Sequence, residues 1–273
     1  MSTQPKADNP ATLDSAKKPA IILVHGFRGS PIGLEAIAKG LRSYGYEVFI
    51  PAVPPFGGAK IRAEASRAHT QRKFRPQKPI KYTPEDYADY LADYIKRKNL
   101  FRPILIGHSM GSIVVAAMLS RYPKLVNTKS VLLSPISNRA AAPFRVLSPL
   151  TAILPRRMTD LITTLYLFVP HDHNLLHQVL EITHDCSADQ PPRPSEVLSV
   201  TAFTTRYSVA DFRLPQRLLF LAGEKDRLVS KKQTLKLAKK VQAEMEFLPD
   251  CGHLHTYEKP QETVEKIINF LQN

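Results

Sequence analysis

One segment constrains the fold more than any other, and it occupies residues 103–119 with the sequence PILIGHSMGSIVVAAML. An apolar run leads into GHSMG, and a run of small and apolar residues follows it. This order predicts a strand, a sharp turn and a helix, with Ser109 at the tip of the turn. Strand and helix then pass at close range, where Gly107 and Gly111 leave room that a side chain would fill. The segment therefore predicts a strained turn that lifts the Ser109 hydroxyl above the carboxyl end of a sheet.

Strands and helices alternate on both sides of this turn. The run AIILVHG (20–26) reads as a strand that is buried on both faces, and SVLLSP (130–135) reads as another buried strand. Leu218 to Ala222 form a further predicted strand, after which Gly223 opens a turn. Residues 31–45 follow the first run with apolar side chains at helical spacing. Strand, helix and strand in this order form right-handed parallel crossovers. The chain is therefore predicted to be an α/β protein with a doubly wound, mostly parallel sheet.

Two shorter patterns predict local structure between the first strand and the turn. EVFIPAV (47–53) reads as a second strand. Thr83 followed by Pro84 is typical of a helix N-terminus. Tyr87 and Tyr90 then lie on the apolar stripe of that helix. This helix would deliver the chain to the strand before Ser109.

The domain organisation follows from where the alternation stops. Residues 136–212 contain several helix-length patterns and no convincing parallel strand, which favours an inserted helical cap. The core then consists of residues 19–135 and 213–273. The apolar side chains of the cap either line a pocket or pack on the core, and the sequence favours neither. Residues 1–18 are polar and contain proline, which is typical of a disordered tail.

The charge balance sets expectations about partners. The 273 residues include 38 Lys and Arg against 24 Asp and Glu, a net charge of +14. Such an excess attracts anionic surfaces or substrates. The chain carries no zinc finger, RNA-binding signature or basic heptad helix, so no specific nucleic-acid partner is expected. A basic stretch at 60–81 is either a rim that attracts anionic substrate or membrane headgroups, or a solvated loop.

Cysteine content and hydropathy indicate the compartment. Cys186 and Cys251 are the only cysteines, which suits a reducing compartment better than a disulfide framework. The sequence contains no run of 18 or more apolar residues, so no transmembrane segment is expected. The N-terminus also lacks the apolar stretch of a secretory signal. We therefore expect a cytoplasmic protein, with peripheral membrane contact left open.

A serine hydroxyl becomes a nucleophile only when a base can accept its proton. Asp226 follows the strand at 218–222, and His253 follows the last strand, so both lie at the carboxyl edge that carries Ser109. Glu224 is the competing acid and His255 the competing base. The chain order Ser, Asp, His is the one that this sheet topology requires.

These residues carry a resemblance to a known family. The sequence resembles α/β-hydrolase fold serine hydrolases of the esterase or lipase type in four places: HGF (25–27), GHSMG (107–111), GEKDRLV (223–229) and GHLHTYEKP (252–260). In the family's histidine loop the catalytic histidine follows a glycine, which favours His253. Many relatives carry an Asp-x-Pro-Gly-x-Gly turn where this chain reads PAVPPFGG (51–58). The resemblance therefore says nothing about how this loop is ordered.

The resemblance implies two-step acyl transfer, in which Ser109 attacks a carbonyl, His253 takes the proton and Asp226 orients the imidazole. It also implies an oxyanion hole formed by the backbone N–H groups of Phe27 and Met110. The expected substrate is a small-molecule carboxylic ester, with amphiphilic or anionic character suggested by the basic stretch and the apolar cap. Thioester, carbon–carbon or N-terminal peptide bond cleavage, and ligand binding without turnover, stay open.

No cofactor and no metal are expected for this chemistry. The alternative is a metal site in the cap, because three histidines there share a helical stripe. They are His173, His177 and His184. Cap or interface histidines without a metal are the simpler interpretation.

Overall fold

The computed structural model describes residues 18–56, 82–136, 158 and 192–273. Within these ranges one sheet contains six strands: β1 (Ile21–Val24), β2 (Val48–Phe49), β3 (Ile104–His108), β4 (Lys129–Leu133), β5 (Arg217–Gly223) and β6 (Glu244–Leu248). Their spatial order is β2-β1-β3-β4-β5-β6, and every neighbouring pair is parallel. The predicted parallel α/β sheet is confirmed.

Helices cover both faces of this sheet. They are α1 (Glu35–Ser43), α2 (Pro84–Arg97), α3 (Met110–Arg121), α4 (Pro194–Arg206), α5 (Lys231–Val241), α6 (His255–Glu258) and α7 (Pro260–Gln272), with short 3₁₀ turns at Pro31–Leu34 and Val209–Asp211. Successive side chains of a strand point to opposite faces. In β1, Ile21 and Leu23 pack with the apolar residues of α1 and α7, whereas Ile22 and Val24 pack with those of α2 and α3. Both faces of β1 are therefore buried, as its continuous apolar sequence predicts.

The helix predicted to start after Thr83 is α2. The Thr83 Oγ1 accepts a hydrogen bond from the Asp86 N–H at 3.2 Å, and the Asp86 Oδ2 accepts one from the Thr83 N–H at 2.9 Å. This reciprocal pair is a capping box, and Pro84 takes the first helical position. The cap fixes where α2 begins, and its buried stripe includes Tyr87 and Leu91.

The second strand is shorter than the pattern at 47–53 predicts. Only Val48 and Phe49 pair with β1. Pro51 has no N–H group to donate to a neighbouring strand, so the ladder stops before it. Beyond Pro51 the Val53 N–H donates a hydrogen bond to His25, the residue that follows the carboxyl end of β1.

Several predicted features fall outside the described residues. These are the tail at 1–17, the whole basic stretch at 60–81, the three cap histidines and the greater part of the proposed cap. The described end of that region is α4, whose Val200 and Phe203 are buried in the core. The Phe203 ring lies 4.8 Å from the ring of Tyr87 in α2. This end of the region therefore packs on the core.

None of the described helices is both long enough and apolar enough to cross a membrane. The cytoplasmic location expected from the cysteine content stays a prediction.

Candidate active site

The turn between β3 and α3 has the strained geometry that the sequence predicts. Ser109 has φ 54° and ψ −121°, a backbone conformation that residues other than glycine seldom adopt. A Cβ at Gly107 would lie 2.4 Å from the Gly111 carbonyl oxygen, and a Cβ at Gly111 would lie 2.3 Å from the Val24 carbonyl oxygen. Real Cβ atoms do not approach backbone this closely. Both positions therefore require glycine, and the helix begins directly behind Ser109.

Three side chains form a continuous hydrogen-bonded chain at this turn. The Ser109 Oγ lies 2.9 Å from the His253 Nε2, and the His253 Nδ1 lies 2.8 Å from the Asp226 Oδ2. A carboxylate only accepts hydrogen bonds, so the His253 Nδ1 carries the proton between them. The neutral ring then leaves its Nε2 free to accept the hydrogen bond that the Ser109 hydroxyl donates.

The Asp226 carboxylate is buried and held on its other oxygen as well. The Asp226 Oδ1 accepts hydrogen bonds from the Leu228 and Val229 N–H groups, both at 2.8 Å. Burial by itself would raise the pKa of Asp226, but the neighbouring His253 and these hydrogen bonds outweigh it and hold the pKa below its usual range. The carboxylate is therefore ionised at neutral pH, with one oxygen anchored and the other facing the imidazole.

The competing acid and base lie in different surroundings. The Glu224 carboxylate is exposed and accepts a hydrogen bond from the Lys231 Nζ at 2.7 Å. His255 is buried, and its Nδ1 lies 3.3 Å from the Thr263 Oγ1. Neither takes part in the hydrogen-bonded chain at Ser109.

Two more histidines surround His253, and burial keeps both neutral. Burial lowers the pKa of His108 to about 3, and it also lowers the pKa of His255 well below the usual range. The His108 Nε2–H donates a hydrogen bond to the His253 carbonyl oxygen at 3.0 Å. The sequence does not single out this contact, because it joins residues 145 positions apart.

The turn after β1 lies against the serine. A Cβ built on Gly26 would be 3.0 Å from the Ser109 Cβ, so the Gly26 backbone directly adjoins that side chain. Phe27 follows in this turn, which the Gly29 N–H closes on the Gly26 carbonyl oxygen at 3.1 Å. Met110 is the first residue of α3, where helix geometry leaves backbone N–H groups without intrahelical acceptors. Phe27 and Met110 are thus the next residues along the two backbone segments that meet at Ser109.

The loop after β2, on which the resemblance is silent, is well anchored through residue 56. The His25 Nε2 accepts a hydrogen bond from the Val53 N–H at 2.8 Å. Two tyrosines of α2 donate their hydroxyl hydrogens to the same loop, Tyr87 to the Pro54 carbonyl oxygen at 2.8 Å and Tyr90 to the Ala52 carbonyl oxygen at 2.6 Å. The apolar stripe of α2 thus also carries polar groups that the helical pattern alone does not assign.

This loop in turn supports the turn after β1, since the Phe56 ring packs edge-on against the Phe27 ring at 5.3 Å.

Cys251 is buried beside the histidine loop, and burial raises the pKa of its thiol. The thiol therefore stays protonated at neutral pH, and a protonated thiol is a poor nucleophile. Among the described residues, no three His, Cys, Asp or Glu side chains are grouped in a way that could hold a metal ion.

The sheet order and the strained serine turn agree with a comparison against known families. The chain belongs to the alpha/beta hydrolase family, whose model matches residues 21–266. No curated protein matches the chain by sequence.

Solved structures show the same fold. An esterase from Thermogutta terrifontis superimposes with a TM-score of 0.72 at 19% identity, covering 94% of this chain and 90% of its own. A bromoperoxidase from Bacillus anthracis gives 0.75 at 17% identity, covering 93% and 92%. An enol-lactonase from Burkholderia xenovorans LB400 gives 0.73 at 15% identity with the same coverage. At these identities the likeness establishes the fold alone.

Proposed function

We propose that this protein is a serine hydrolase that cleaves a carboxylic ester through a covalent acyl-enzyme. Ser109 is the nucleophile, His253 the general base and Asp226 the acid that orients it. The observation that carries the proposal is the hydrogen-bonded chain from the Ser109 Oγ through the His253 ring to the Asp226 carboxylate. Family membership supports it, because the chain order Ser, Asp, His is the one expected for this fold.

The reaction proceeds in two halves. In the first, the His253 Nε2 takes the hydroxyl proton as the Ser109 Oγ attacks the ester carbonyl, and the Asp226 carboxylate stabilises the imidazolium. The imidazolium then gives its proton to the leaving alcohol, and the acyl group stays on Ser109. In the second, His253 activates a water molecule that releases the acid and restores the serine.

The oxyanion of each tetrahedral intermediate is held by the backbone N–H groups of Phe27 and Met110. The Met110 N–H lies at the N-terminus of α3, where the helix dipole favours negative charge. The support for Phe27 is the contact between the Gly26 backbone and Ser109. One such donor is worth about 10² to 10³ in rate.

A small-molecule ester of amphiphilic or anionic character is the substrate class that we assign. The net charge of +14 supports an anionic component. Structural neighbours described as esterases, and one as an enol-lactonase, are consistent with ester bonds. We further propose that residues 136–212 form a cap, and that this cap determines which acyl group the enzyme accepts.

A fluorophosphonate probe tests the nucleophile. Wild-type protein should be labelled once, and Ser109→Ala should not be labelled. Ser43→Ala removes an exposed hydroxyl at the end of α1 and should label as fully as wild type. Labelling that persists in Ser109→Ala would contradict the proposal that Ser109 is the nucleophile.

Turnover of p-nitrophenyl esters of increasing chain length then tests the substrate class. We expect hydrolysis with a preferred chain length and at least a 10³-fold loss in Ser109→Ala. A protein that binds the probe but turns over no ester would instead be a ligand-binding member of the fold.

A further inference from the structure

Glu258 in α6 contacts the loop that carries His253, and the mechanism above gives it no part. Its Oε2 accepts a hydrogen bond from the Gly252 N–H at 2.8 Å. The Leu254 N–H also favours the ionised form of the carboxylate and so lowers the pKa of Glu258. Gly252 directly precedes His253, so this side chain holds the backbone next to the imidazole.

The surroundings of the Glu258 carboxylate allow its charge to act on the nearby imidazole. Glu258 is half-buried, and its Oε1 is a buried atom with no hydrogen-bond partner among the described residues. Burial raises the pKa of Glu258, whereas the two backbone N–H groups and His253 favour its ionised form. A carboxylate in contact with so little solvent is weakly screened, so it acts strongly on the charge of a nearby imidazole.

Of the other groups that face His253, two histidines are neutral and Asp226 is negatively charged. His108 holds the same loop from the β3 side through the His253 carbonyl oxygen, but burial keeps its ring neutral. His255 is neutral for the same reason. Asp226 is the ionised partner of the His253 Nδ1. Glu258 itself faces Asp226 and the Cys251 thiol as well as His253.

We propose that Glu258 is a positioning residue for His253: it fixes the backbone of the histidine loop, and its negative charge adds to that of Asp226 in stabilising the imidazolium. The proposal deepens the hydrolase mechanism proposed above and rests on it. The transition state for acyl transfer carries a protonated His253, so both effects lower the same barrier.

The decisive variant is Glu258→Gln, which keeps the shape of the side chain and an oxygen acceptor for the Gly252 N–H but removes the charge. Without that charge the imidazolium loses its proton more readily, so the active neutral form of His253 persists to lower pH. The acid limb of the kcat/KM profile should therefore move down by about 0.5 pH unit or more. An acid limb unchanged from wild type overturns the proposal.

The matched control is Glu262→Gln. Glu262 is an exposed carboxylate at the start of α7, paired with the Lys259 Nζ at 3.1 Å. Its removal changes the net charge equally, and the screened charge should leave the acid limb in place. Equal shifts in the two variants would mean that overall charge moves the limb, and would also overturn the proposal.

A second variant tests positioning and does not require Glu258→Gln to fold. Glu258→Asp keeps the charge on a shorter side chain that cannot reach the Gly252 N–H as Glu258 does. We expect kcat to fall about 10-fold or more with the acid limb near its wild-type position, because small misplacements of a catalytic group are costly. Wild-type kcat in Glu258→Asp would overturn the positioning role.

The titration of the His253 ring separates this proposal from the hydrolase proposal. It can be followed by NMR with ¹⁵N-labelled histidine and assigned by its loss in His253→Gln. A lower titration midpoint in Glu258→Gln supports the charge effect even if no ester is turned over. Turnover that depends on Ser109, together with an unchanged midpoint and acid limb in Glu258→Gln, overturns the Glu258 proposal alone.

Discussion

The turn that carries Ser109 and the loop that carries His253 meet at one hydrogen bond, yet they are fixed in different ways. The serine turn is fixed sterically, since Gly107 and Gly111 sit where strand and helix backbones touch. The histidine loop is fixed by hydrogen bonds, from the Gly252 N–H to the Glu258 carboxylate and from the His108 Nε2–H to the His253 carbonyl oxygen. The steric constraint on the serine turn is visible in the sequence as two closely spaced glycines. The hydrogen bonds of the histidine loop instead join side chains to backbone atoms that meet only in the folded protein.

The largest effect is expected where the serine turn is broken sterically. In Gly111→Ala the new Cβ would meet the Val24 and His25 carbonyl oxygens at 2.3 and 2.8 Å, so β1 and α3 must move apart. We expect the free energy of unfolding to fall by about 3 kcal/mol or more, or no folded protein at all. Urea unfolding followed by circular dichroism measures this loss.

Gly45→Ala is the control for this variant. Gly45 has φ 81°, and a Cβ added there would meet no atom of the described residues within 4 Å. The cost of this substitution is therefore backbone strain alone, about 1 kcal/mol. Equal losses in the two variants would contradict the steric account of the serine turn.

The next effect concerns the histidine loop and the proposed role of Asp226. Asp226→Asn places an amide beside the His253 Nδ1, which favours the wrong tautomer and leaves Nε2 unable to accept the serine proton. We expect kcat on an ester substrate to fall by about 10² or more, with a stable fold. Glu224→Gln changes an exposed carboxylate paired with Lys231 and should stay within about twofold of wild type. A large loss of kcat in Glu224→Gln with little change in Asp226→Asn would mean that Glu224, not Asp226, orients His253.

The same contrast explains how much of the molecule the sequence predicts. The sheet and the serine turn follow from local apolar runs and two glycines, and the structure bears them out. The sequence also singles out Ser109, Asp226 and His253, the three side chains that meet, because the carboxyl ends of parallel strands share one edge.

The supporting contacts could not be predicted in this way. His108 and Glu258 lie inside recognised motifs, but their partners are backbone atoms of the His253 loop, and no residue type marks a backbone donor or acceptor. Tyr87 reads as an apolar stripe residue, yet its hydroxyl donates to the Pro54 carbonyl oxygen. The end of β2 depends on Pro51, whose missing N–H outweighs the strand propensity of its neighbours.

The last effect is a pH dependence of stability that arises from two buried neutral histidines, His25 and His108. Burial lowers the pKa of His25 to about 4 and that of His108 to about 3, against a usual value of 6.5. Between pH 6.5 and 4, His25 and His108 therefore bind protons in the unfolded chain but stay neutral in the folded chain. The free energy of unfolding should fall as the pH drops through this window, by about 1.4 kcal/mol per pH unit for each such histidine.

His108→Gln isolates the contribution of the residue that joins the two regions. A glutamine amide can still donate to the His253 carbonyl oxygen but takes up no proton. Urea unfolding at intervals from about pH 6.5 down to pH 4.5 should give a slope shallower than wild type by about one proton. Asp226 does not interfere, because its lowered pKa places its own loss of stability at more acid pH. An unchanged slope would mean that His108 is protonated in the folded protein, and its hydrogen bond to the histidine loop would then be charged, as that of Glu258 is.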